Sequence, residues 1–145
     1  MAKIFLLAGS VAAALAVALG AFGAHGLRHK LGADLLAVYQ TGVQYHFYHA
    51  LGLLVIGVLS MQLPESVALR WAGILMLLGI VLFSGSLYLL AISGIRWLGA
   101  ITPIGGIAFI SAWLLMAMAI WKAAENTRIK HTGRAVTRCA STPTY

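Results

Sequence analysis

The sequence predicts an all-α membrane protein: four transmembrane helices in an antiparallel bundle, an interfacial helix as one option in the first loop, and a disordered C-terminal tail. Three observations predict it. Hydrophobic residues make up 61% of the 145 residues and charged residues only 9%, where soluble domains carry about 25% charge. The apolar residues gather into four runs, each close to the roughly 20 residues a helix needs to cross a hydrocarbon core about 30 Å thick. None of the runs alternates as a membrane barrel strand does, and in lipid an unbroken apolar run satisfies its backbone as a helix. Ten Lys and Arg with three Asp and Glu cannot cover the surface of a soluble enzyme.

The first span, residues 4–24, holds no charge and one hydroxyl, Ser10. Lys3 before it and Gly20-Ala21-Phe22-Gly23-Ala24 at its end imitate a secretory signal, but the run exceeds the usual 7–15-residue core of such a signal. Ala8, Ala12, Ala16, Gly20 and Ala24 recur every four residues. Such a stripe admits a close helix neighbour, inside the bundle or in a second copy. The first loop, residues 25–42, mixes Leu27, Leu31 and Leu35 with Arg28, His29, Lys30 and Asp34. It reads either as an amphipathic helix on the membrane surface or as a helix capped by Asp34 that runs straight into the second span.

The second span, residues 43–63, ends at Pro64-Glu65, and the third, residues 71–92, lies between Arg70 and Arg96. The fourth, residues 98–121, opens with Thr102-Pro103 and Gly105-Gly106, a kink with room for close packing, and closes at Lys122. Trp71, Trp97 and Trp121 mark the interfaces. Residues 122–145 lack apolar periodicity and are basic, which predicts a disordered cytoplasmic tail held near anionic headgroups. Cys139 is the lone cysteine, so an intramolecular disulfide and a cysteine metal cage are excluded.

The net charge of +7 is largely a topological signal. Lys3, Arg70, Lys122, Arg128, Lys130, Arg134 and Arg138 fall on one side of a four-span chain, and Arg28, Lys30 and Arg96 on the other. The excess puts both termini in the cytoplasm.

Polar side chains inside spans are costly and mark function or hydrogen bonding. His25, Gln44, Tyr45, His46, Tyr48, His49, Tyr88 and Thr102 fall in the outer half in this topology, with Ser84 and Ser86 near the middle. Together they form a candidate polar pocket above a sealed inner half. A hydrogen-bonded interfacial network is the preferred reading. A metal site from His25, His46 and His49, with Asp34 or His29 in reserve, is a second; haem between two histidines and proton-linked transport are others. No catalytic residue is nominated, because the third and fourth spans carry no base beside Ser84 or Ser86. No cofactor is expected. The expected partners are the lipid bilayer and either further copies or another membrane protein; nucleic acid is not, since the basic tail lacks interleaved aromatics.

Four motifs stand in order: Gly20-Ala21-Phe22-Gly23-Ala24-His25-Gly26-Leu27, Thr41-Gly42-Val43-Gln44-Tyr45-His46, Phe83-Ser84-Gly85-Ser86-Leu87-Tyr88 and Ile101-Thr102-Pro103-Ile104-Gly105-Gly106. Together they resemble the YgdD family of small bacterial inner-membrane proteins, which carries domain of unknown function 423. The resemblance covers residues 1–122 and leaves out the tail. It implies a multi-pass membrane protein of this size and no settled activity. The reading that follows is a multi-pass, non-enzymatic binding or assembly component of the inner membrane, with metal- or proton-linked transport or sensing through His25, His46 and His49 as the alternative.

Overall fold

The structure is a computed structural model that describes the backbone of residues 1–140 and the side chains of residues 1–126. Helix α1 (Ala2–Phe22) runs on into a π turn, Gly23–Leu27. Helix α2 spans Ala33–Gln62. Helices α3 (Val67–Gly79) and α4 (Gly85–Ser93) form one rod through a second π turn, Ile80–Ser84. A 3-10 turn, Arg96–Ala100, leads to α5 (Thr102–Ala140). Four stretches are long and apolar enough to cross a membrane: Ala2–Leu27, Ala33–Gln62, Val67–Ser93 and Arg96–Asn126. No strand occurs among the described residues.

Three boundaries differ from the sequence reading. The first loop forms no separate surface helix: of the two alternatives, the continuous helix is the one observed. Gly32 stands at its N-cap, and Asp34 lies in the first turn without a capping bond, where its charge favours the helix dipole. Leu31, Leu36 and Val38 instead pack on a small core of Leu27, Tyr39 and Ala91, so they are spent inside the protein. Pro103 is the second residue of α5. There its missing N–H costs nothing, so it starts the helix rather than kinking it. The helical backbone also passes the boundary expected at Trp121: Lys122, Ala124, Glu125 and Asn126 are exposed on its continuation, a stretch whose Ala, Lys and Glu favour helix. Residues 141–145 lie outside the described residues.

The turns are specified locally. Ser66 caps α3, its Oγ accepting from the Leu69 N–H at 3.4 Å. Gly94 ends α4 at φ 72°, donating its N–H to the Leu90 carbonyl at 2.8 Å. That left-handed conformation is what favours glycine at this position.

Helix α2 is central. It lies along α1 on one side and against α3, the second π turn and α4 on the other, while α5 packs on α3 and the same π turn. Helices α1 and α2 cross closely and reciprocally: a Cβ on Gly9 would stand 3.0 Å from the Leu54 nitrogen, and one on Gly57 would stand 3.1 Å from the Leu6 nitrogen. Aromatic rings are seated on glycines of neighbouring elements, Phe5 on Gly73, Tyr39 on Gly23, Tyr88 on Gly42 and Phe109 on Gly79, while Gly105 lies against the backbone of Phe83. Lipid offers apolar helices no hydrophobic drive to associate, so this interlocking supplies the cohesion through dispersion. Around the core, Ile4, Leu7, Val11, Val55, Val81 and Ile107 are exposed, a surface suited to hydrocarbon.

The pairings fix the depth of each residue. Gly9 meets Leu54, Gly20 meets Val43 and Gly23 meets Tyr39, which brings the middle of the first span level with residues 48–49. His49 stacks on Phe109, and Phe109 sits on Gly79. His49, Phe109 and the start of the second π turn therefore share one level near mid-height of all four spans.

A candidate polar site in the bundle

The bundle does not gather the predicted polar residues into one pocket. They separate into pairs with their own partners. His46 is 6% exposed, and its Nδ1 lies 3.2 Å from the Tyr88 hydroxyl. The Tyr88 ring tilts against Tyr39 at 5.1 Å, and Tyr39, 1% exposed, donates its hydroxyl to the Leu19 carbonyl at 2.9 Å. Ser86 meets Thr102 oxygen to oxygen at 2.9 Å and also donates to the Phe83 carbonyl, which ties α4 to the start of α5. Ser84 is fully buried, and its Oγ has no partner among the described residues.

His49 is a packed ring. Its Nδ1 donates to the Tyr45 carbonyl at 2.6 Å, because a carbonyl can only accept. Its face lies on Phe109 with centroids 3.4 Å apart and planes 12° from parallel, and Trp113 meets it edge-on. Tyr45 stacks between Phe83, at 4.5 Å, and His49, at 5.8 Å.

His25 is exposed at the end of the first span and donates its Nδ1 to the Ala21 carbonyl one turn back, at 3.0 Å. His25, His46 and His49 thus point to three different partners, and the trio proposed as metal ligands is not brought together. No group of three or more His, Cys, Asp or Glu that could hold a metal ion occurs among the described residues. Gln44 and Tyr48 face outward and are exposed. His46 and His49 sit near the middle of the 30-residue α2, because α2 begins ten residues earlier than the apolar run suggests.

The packing residues divide likewise. Ala12 and Ala16 are buried, Ala8 and Gly20 half-buried, and Ala24 exposed. The buried line of α1 runs through Phe5, Gly9, Ala12 and Ala16, so it drifts off a strict four-residue stripe as 3.6 residues per turn require. Among the described glycines Gly105 makes the closest approach to a neighbouring backbone, while a Cβ on Gly106 would find only ordinary contact with Phe83 at 3.9 Å. Sequence reasoning does not single out Tyr39, Phe109, Gly9 and Gly79, and it names Phe83 only as part of a motif. Their signal is the recurrence of aromatic and glycine residues in facing spans, which is readable only once the register is known.

One arrangement is open to a ligand. Helix α1 has little contact with α4, and the gap between them is a groove of about 610 Å³. Its walls are Leu7, Val11 and Leu15 of α1 opposite Ile80, Val81 and Gly85, and its only strongly polar lining is His46 with Tyr88. Either the Tyr88 O–H donates to Nδ1, leaving Nε2–H spare, or Nδ1–H donates to Tyr88, leaving the phenol hydrogen spare. In both tautomers the pair keeps one donor unspent. No Asp, Glu, Lys or Arg lies between Asp34 and Glu65 or between Arg70 and Arg96 in the sequence, so the groove carries no fixed charge.

The family model described as "Protein of unknown function (DUF423)" matches residues 19–106, a stretch that contains all four motifs. The UPF0382 membrane protein YwdK of Bacillus subtilis (strain 168) is 53% identical over 83% of this chain and 98% of its own length. The UPF0382 membrane proteins SH2409 of Staphylococcus haemolyticus (strain JCSC1435) and SSP2132 of Staphylococcus saprophyticus are 48% and 49% identical, each over 83% of this chain and at least 97% of the relative. No solved structure matches the chain. With these relatives and four membrane-length helices, the chain is a membrane protein that belongs to the DUF423 family, the one its motifs resemble.

Proposed function

We propose that the protein is a non-enzymatic binding component of the bacterial inner membrane, and that its site is the groove between α1 and α4 ending at His46 and Tyr88. The observation that carries this reading is the conjunction of a wide apolar groove with a single polar pair retaining one hydrogen-bond donor. A charged headgroup would find no counter-ion there and would be costly to bury. The chemistry that fits is a neutral lipid with a long apolar tail and a small headgroup bearing a carbonyl, as in prenylated quinones or diacylglycerols. Gly85 offers the cleanest test, since a Cβ there meets nothing within 4 Å. Gly85→Leu places bulk in the groove while leaving His46 and Tyr88 themselves unchanged. Protein released from membranes in mild detergent is expected to carry one neutral lipid by native mass spectrometry, and Gly85→Leu to reduce its occupancy at least tenfold. Redox-sensitive ultraviolet absorbance of the extract identifies a quinone and its absence a glyceride. Equal occupancy in both proteins contradicts the reading.

The same reading has both termini in the cytoplasm, supported by the excess of Lys and Arg on that side. A reporter that is active only in the cytoplasm, fused after Tyr145, is expected to be active, and one that needs export to be silent. The reverse pattern would invert the topology.

A further inference from the structure

The face of the α1–α2 pair turned away from the groove carries a different feature, independent of the lipid reading. Gln40 and Gln44 stand one helical turn apart on α2, both exposed, and neither makes a hydrogen bond among the described residues. Tyr48, a turn further on, is 56% exposed. Gln44 and Tyr48 border an apolar groove of about 550 Å³ whose other wall is Ala16, Gly20, Ala21 and Ala24 of α1.

The depth of Gln44 makes its exposure informative. Its neighbour Val43 meets Gly20, five to six residues from the middle of the first span, so Gln44 lies about 8 Å from mid-height at 1.5 Å per residue. That is well inside a hydrocarbon half-thickness of about 15 Å. A carboxamide there has two donor hydrogens and an acceptor oxygen facing lipid, which can satisfy none of them. The partner has to supply both a donor and an acceptor at the same depth. A second copy in the same orientation, related by a two-fold axis along the membrane normal, presents its own Gln44 at that depth by symmetry, and the amide is its own complement. The small residues beside it let the two helix pairs approach.

We propose that this face is a homodimer interface centred on reciprocal Gln44–Gln44 hydrogen bonds. The test is cysteine crosslinking by copper phenanthroline in native membranes, in full-length protein with Cys139→Ser. Ala21→Cys, beside Gln44 in the groove, is expected to convert most of the chain to a dimer. Ile107→Cys, 65% exposed on α5, is expected to give none. Adding Gln44→Leu to Ala21→Cys should reduce the dimer at least tenfold, while Gln44→Asn should retain it. A monomer for Ala21→Cys, a crosslink only to a chain of different mass, or a dimer indifferent to Gln44→Leu overturns the proposal.

Discussion

Gly105→Ala is expected to abolish recovery of folded protein from membranes, while Gly106→Ala, one residue along, is recovered at wild-type yield. A Cβ at position 105 would stand 2.5 Å from the Phe83 nitrogen and 2.8 Å from its Cα. No rotamer change relieves contact with a backbone, so α5 must withdraw from the second π turn. That withdrawal breaks the Ser86–Thr102 bond and the stacking of His49 on Phe109. Overpacking that side chains can absorb costs about 1–3 kcal/mol. A rigid clash that separates two helices exceeds that range and takes up much of a stability of about 5–15 kcal/mol. The neighbouring variant is the control, because both substitutions change glycine to alanine in the same turn and only one meets a backbone. Yield in detergent and the apparent Tm of each variant read the difference.

His49→Ala is expected to be the most damaging substitution among the candidate polar residues, and His49→Phe to undo most of the damage. The histidine is 7% exposed and sits between Tyr45, Phe109 and Trp113. Truncating a buried ring costs about 3–5 kcal/mol. Phenylalanine keeps the ring stack and gives up only the bond to the Tyr45 carbonyl, worth about 1 kcal/mol. Apparent Tm should therefore fall steeply in His49→Ala and slightly in His49→Phe. If the ring were needed as a ligand, phenylalanine would fail as badly as alanine in any assay of bound ligand, even where stability recovers.

The fold was legible because its strongest signal is one-dimensional. An apolar run of about 20 residues between charges states a span whatever surrounds it. The start of α2 was less legible, since Leu31, Leu36 and Val38 look alike whether they face a membrane surface or the small core under Tyr39. The site was only partly legible for a related reason. Intramembrane polar residues can be named from sequence, yet their grouping depends on helix rotation and register. His46 and His49 are three residues apart but turn to different helices, His46 to Tyr88 of α4 and His49 to Phe109 of α5. The resemblance to a family supplied the motifs without supplying those contacts, and Tyr39, the most buried of the described tyrosines, lies in what reads as a loop.

Lipid occupancy in the polar-pair variant tests the central claim most directly, namely that the groove ending at His46 and Tyr88 is a binding site for a neutral lipid. Native mass spectrometry of wild-type protein beside the double variant His46→Leu with Tyr88→Phe makes the comparison, with the groove volume nearly conserved and the spare donor removed. The account predicts one bound neutral lipid in the wild type and at least a tenfold loss in the variant. Undiminished occupancy in the variant, or a wild type that carries no lipid of this class, would contradict it.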